Sequence, residues 1–138
     1  MSRILRSKAV WRNVAGFLPA VVWAILVAIL SLSSITMVPK LGWTDITGLD
    51  KLGHAVFYCL LALWMFYGFF RLRQRYKYMA IWSGAICVVF GITMELLQSR
   101  MHVGRQFEYP DILADVVGVL IAFWIYSSGL KKKYHGSQ

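Results

Sequence analysis

Four apolar runs of about twenty residues each divide this chain, and each is long enough to cross a bilayer. Val14–Ile35 carries no charge over 22 residues. Leu52–Phe70 carries only His54, Tyr78–Leu97 only Glu95, and Ile112–Leu130 only Asp115. A helix rises about 1.5 Å per residue, so every run spans about 30 Å of hydrocarbon. The apolar residues are continuous and do not alternate, which argues against a membrane β-barrel. The expected fold is all-α: one domain, a four-helix transmembrane bundle with spans at about 14–35, 52–70, 78–97 and 112–130.

Composition agrees. With 138 residues, 59% of them hydrophobic, and a mean hydropathy of +0.59, the chain is too apolar for a soluble domain of its size. The net charge of +9 would suggest nucleic acid in a soluble protein. Here the basic residues flank the apolar runs, where membrane topology places them, and no basic stripe is left over. No nucleic-acid partner is expected. Cys59 and Cys87 lie in mid-run, without CxxC or Cys/His spacing, and read as small buried hydrophobes rather than a zinc, redox or disulfide pair. The first run is longer than a signal-peptide core and no A-x-A site follows it, so it is expected to be retained. Pro19 falls in its first turn or so, where a missing N–H matters least.

Charge gives the orientation. Eleven of the fifteen Lys and Arg lie before the first run, between the second and third, and after the fourth. All six acids (Asp45, Asp50, Glu95, Glu108, Asp111, Asp115) lie in or beside the other two gaps. By the positive-inside rule both termini are cytoplasmic and the acidic loops face the extracytoplasmic side. Trp43, Tyr78 and Tyr109 are placed as interfacial anchors.

Ionisable residues within a span are costly and mark function by default. His54 is 17 residues from Arg71, Glu95 is 18 from Lys77, and Asp115 is 16 from Lys131. At about 1.5 Å per residue, three helices thus deliver three ionisable groups to one depth, roughly 24–27 Å from the inner edge. Asp50, Gln98 and Asp111 lie about a turn further out, and Tyr58 a turn deeper. Asp50, His54 and Tyr58 share one helical face, as do Glu95, Gln98 and His102. Asp111, Asp115, Gly118 and Ala122 share another, and Gly84 and Gly91 continue the Glu95 face inward. Small residues there permit close helix packing in lipid. Other roles stay open at these positions. Asp50 and Asp111 can N-cap their helices, Lys51 can snorkel to the interface, and His54 can be a packed core histidine.

At these residues the chain resembles the VanZ-like family of integral membrane proteins. The first block reads DKLGHAVFY, with Asp50, Lys51, His54 and Tyr58; the second reads ELLQSRMHVGRQFEYPDILADVVG, with Glu95, Gln98, Arg105, Asp111, Asp115 and Gly118. The resemblance covers about Asp50 to Ala122; the first run matches only as a generic span. The family often has Asn where this chain has Asp115, which adds a negative charge here. The resemblance implies a multi-pass protein of the inner (cytoplasmic) membrane linked to the cell envelope. The family's founding member is associated with low-level resistance to the glycopeptide antibiotic teicoplanin.

The expected function is to bind or modify an amphiphilic or lipid-linked molecule at the outer leaflet: a membrane lipid or a lipid-linked glycan. His54, Glu95, Asp111 and Asp115 are the candidate catalytic residues, with His54 and Glu95 as the acid/base pair. Asp111 and Asp115 would orient His54 or Arg105, or bind a divalent cation through oxygen. Asp50, Lys51, Tyr58, Gln98 and Arg105 are the candidate substrate contacts, with Lys51 and Arg105 on an anionic headgroup. No GxSxG, HExxH or P-loop motif is present, so any enzyme here would be a hydrolase or transferase of another kind. Two alternatives remain: a proton- or cation-coupled transport component, which with four spans would need to form an oligomer, and a structural scaffold of an envelope complex.

Overall fold

The computed structural model describes residues 14–32, 47–72, 76–101 and 107–135. Those residues are helical almost throughout. A 3₁₀ turn, Ala15–Phe17, runs into α1 (Leu18–Leu32); α2 is Thr47–Arg71, α3 Tyr76–Arg100 and α4 Tyr109–His135. Four helical stretches are long and apolar enough to cross a membrane: Ala15–Leu32, Gly48–Arg71, Lys77–Arg100 and Tyr109–Gly129. Pro19 is the second residue of α1, where no intrahelical donor is lost.

Helices α2 to α4 begin earlier than their apolar runs. Hydropathy marks where hydrocarbon-compatible side chains stop, whereas a helix continues while its backbone bonds are satisfied. The extra turns carry the polar residues. Asp50 therefore lies inside the first turn of α2 and Asp111 inside that of α4, and neither is an N-cap. Both still sit at the positive end of a helix dipole.

Helix α2 is central and packs against α1, α3 and α4, while α3 also touches α1 and α4. The core is a column of Leu61, Ala62, Met65 and Phe66 from α2, Met79 and Cys87 from α3, Ala122 from α4, and Ala20 and Val27 from α1. The outward faces stay apolar, as a lipid-facing surface requires: Val22 and Ile29 on α1, Leu120 and Trp124 on α4 are all exposed. Tyr78 and Tyr109 are exposed near helix ends, as interfacial anchors are; Trp43 lies outside the described residues. Cys59 and Cys87 are both free.

The α2–α4 contact is the closest. A Cβ on Gly118 would run into the carbonyl of Ala55 and would lie 3.0 Å from the Cys59 nitrogen, so the two backbones touch at this point. Gly84 differs from the expectation of a close-packing glycine. The nearest atom to a Cβ there is Val119 Cγ1 at 3.9 Å, which is ordinary contact. Two further ties hold α1 in place: Trp23 Nε1 donates to the Phe57 carbonyl (3.0 Å), and Gln98 Nε2 donates to the Ser31 carbonyl (2.9 Å).

Candidate functional site

Three helices turn polar faces toward one another near the start of α2, the end of α3 and the start of α4. On α2 the outward residues are Leu49, Leu52 and Val56, which leaves Asp50, His54 and Tyr58 on the opposite side. On α4 the outward residues are Leu113, Val117 and Leu120, and Asp111 and Asp115 are buried, at 4% and 2% exposure. On α3, Met94, Glu95 and Gln98 are buried while Ile92, Leu96 and Leu97 face out. Each face follows from the 3.6-residue period.

The buried groups form one chain of contacts. His54 Nδ1 lies 2.9 Å from Asp115 Oδ1, a charge-assisted hydrogen bond between α2 and α4. His54 Nε2 faces Asp111 Oδ2 at 3.8 Å. Lys51 Nζ lies 3.5 Å from Asp111 Oδ1 and 3.6 Å from Glu108 Oε2. The Glu108 backbone N–H donates to Glu95 Oε2 at 3.2 Å, so Glu95 on α3 holds the segment that leads into α4. Among the described residues, Glu95 Oε1, Asp111 Oδ1 and Asp115 Oδ2 are buried carboxylate oxygens without a hydrogen-bond partner. Lys51 offsets the charge at Asp111 Oδ1, but leaving Glu95 Oε1 and Asp115 Oδ2 unsatisfied in a low-dielectric setting is expensive, which is why they mark a place for a cation or a polar ligand. Tyr58 packs below, its ring parallel to His54 at 6.4 Å between centroids and tilted against Phe90 at 6.0 Å.

Lys51, His54, Asp111 and Asp115 are thus brought together, with Glu95 joined through the Glu108 backbone. Asp50 stands on the exposed side of the same group. Gln98 does not join it, because its amide is taken by the α1 backbone. Arg105 and His102 lie outside the described residues. Sequence reasoning missed Glu108 as a partner of Lys51. The available signal was its spacing: Glu108, Asp111 and Asp115 step by three and four, so Glu108 continues the buried face one turn outward.

Gly91 is a second piece of the site. A Cβ there would lie 2.5 Å from Asp115 Oδ2 and 3.4 Å from the Tyr58 ring, so only glycine lets the carboxylate lie against α3. Gly91→Ala is expected to push Asp115 off His54 while the helices persist. In ¹⁵N-labelled protein the His54 Nδ1 resonance should move, with the helical circular dichroism retained. An unaltered His54 spectrum would refute this account of the glycine.

A groove of about 250 Å³ lies between α1 and α2, beside the carboxylate cluster. Val27, Leu30, Leu49 and Phe57 form its apolar walls, and Asp50 and His54 form its polar end. His54 therefore belongs to both features. No family model, no curated protein and no solved structure matches this chain.

Proposed function

We propose that this chain is a multi-pass membrane protein that holds an anionic amphiphile, with the headgroup at the Lys51–His54 end and part of an acyl or prenyl chain in the α1–α2 groove. The observation that carries this reading is His54, which is shared between the carboxylate network and the groove wall. The groove volume bears on what is held. It falls below the roughly 300–1,000 Å³ of a pocket that encloses a whole small molecule, so it suits a segment of a long chain. Lys51 supplies the positive charge for a phosphate or carboxylate, with its side chain 35% exposed.

Binding is favoured over reaction. Both ring nitrogens of His54 face carboxylates, Asp115 at 2.9 Å and Asp111 at 3.8 Å, so the imidazole is set against anions rather than against a nucleophile it would activate. The charge pattern supports cytoplasmic termini, which puts the cluster at the extracytoplasmic end of the spans. The resemblance to the VanZ-like family supports the inner membrane, a lipid or lipid-linked glycan of the envelope as ligand, and a link to glycopeptide tolerance.

Native mass spectrometry of detergent-released protein tests this. A co-purified anionic lipid or lipid-linked glycan is expected, and Lys51→Met should reduce its retention by about tenfold or more, the value of one charge-assisted contact. Protein that carries no such molecule, and takes none up from vesicles containing anionic phospholipid, would overturn the reading.

A further inference from the structure

We propose that Asp50, His54 and Asp111 bind one divalent cation of the Zn²⁺ or Mn²⁺ class between α2 and α4, with Asp115 as the outer support of the histidine. One donor atom from each of the three residues lies within 4.8 Å of the others. Two of the donors step by four along α2 and the third comes from α4. The backbone contact of Gly118 with Ala55 holds those two helices together, about two turns along α4 from Asp111 and one residue from His54 on α2.

The histidine carries the argument beyond a cluster of acids. Metal-bound imidazole usually gives its second ring nitrogen to a carboxylate, which fixes the tautomer and the ring plane. Asp115 makes that contact on Nδ1 at 2.9 Å. The remaining nitrogen, Nε2, points at Asp111 Oδ2 from 3.8 Å, too long for a hydrogen bond. Two ligands each about 2.1 Å from a shared ion lie about 3.4 Å apart at a tetrahedral angle. The observed separation is close to that of two atoms with an ion between them.

Charge and burial point the same way. The linked contacts set three buried carboxylates (Glu95, Asp111, Asp115) and the exposed Glu108 against Lys51 and His54. Asp111 is 4% exposed; its Oδ1 is turned to Lys51 at 3.5 Å, while its Oδ2 faces the His54 nitrogen at 3.8 Å. An excess of buried carboxylate among apolar helices attracts a cation. One imidazole with two carboxylates matches ions of intermediate hardness. Three protein ligands leave coordination positions open, and Asp50, being exposed, lies on the side from which an ion or an anionic ligand enters.

This site does not depend on the headgroup reading, and Lys51 separates the two. Lys51 is the cation that competes for Asp111, so Lys51→Met should tighten the ion severalfold while it releases the lipid. The test is Mn²⁺ titration of delipidated, detergent-solubilised protein, followed by electron paramagnetic resonance, with Zn²⁺ as competitor. One Mn²⁺ per chain is expected, displaced by Zn²⁺. Asp111→Asn and Asp50→Asn should each weaken it at least tenfold, and Asp115→Asn by about 10–100-fold through the lost support. Asp50 is exposed, so Asp50→Asn keeps the test valid even where a buried variant fails to fold. Failure to bind Mn²⁺, or binding that Asp50→Asn and Lys51→Met leave unchanged, would overturn the proposal.

Discussion

Gly118→Leu should leave no folded protein in the membrane, and Gly118→Ala should lower stability by about 3 kcal/mol, the upper end of what overpacking does. The reason is the kind of atom in the way. A Cβ at this position meets the Ala55 carbonyl, with its carbon 2.9 Å away, and the Cys59 nitrogen at 3.0 Å. These are backbone atoms, so no rotamer change relieves the overlap. Helices α2 and α4 must separate, which opens the contact that brings their polar faces together. His54 precedes Ala55 by one residue and Asp115 precedes Gly118 by three, so the same separation stretches the 2.9 Å His54–Asp115 bond. Gly118→Ala molecules that do fold should therefore also lose ligand. Fluorescence-detected size exclusion after heating would measure the stability change. A Gly118→Ala protein that accumulates and melts like the parent would show that the two backbones do not touch in the native membrane. Gly84→Ala is the matched control, because its Cβ meets nothing closer than 3.9 Å.

Much of this arrangement can be read from spacing alone. Residues 50, 54 and 58, or 111, 115 and 118, lie on one face of any helix they occupy, and counting from the basic flanks places His54, Glu95 and Asp115 at one depth. The contacts among Lys51, His54, Asp111 and Asp115 agree with that count. What spacing does not give is rotation about each helix axis and which neighbour a face meets. Gln98 shares a face with Glu95 yet bonds to α1, because α3 stands between α1 and α4 and its polar edge is divided between them. Helix starts lie outside the apolar runs for a related reason: the runs report hydrocarbon, and the polar turns of α2 and α4 extend past it. The role of Gly91 was out of reach in detail, since a glycine that clears room for a carboxylate looks the same in sequence as one that clears room for a helix.

The His54–Asp115 pair also allows a test of whether the cluster is a site or a fold-locking device. Asp115 is 2% exposed, and the His54 side chain 13%. His54→Leu removes the hydrogen-bond partner of a buried carboxylate whose other oxygen already lacks one among the described residues, so it should cost about 3 kcal/mol. Asp115→Leu should cost less, because His54 keeps Asp111 at 3.8 Å and is nearer the surface. The double replacement should recover most of that loss, since two leucines satisfy each other where one leucine strands a charge. A coupling of about 2 kcal/mol between the two positions follows, measurable by a double-mutant cycle on thermal stability. Function should not follow stability: the double variant should be nearly as stable as the parent and retain neither the lipid nor Mn²⁺. This divergence is what separates a binding site from a scaffold. A purely structural pair predicts that whatever restores the fold restores the phenotype, whereas a site loses its ligand however well the leucines pack. If the double variant regains both stability and ligand, the polar groups serve only to join α2 to α4.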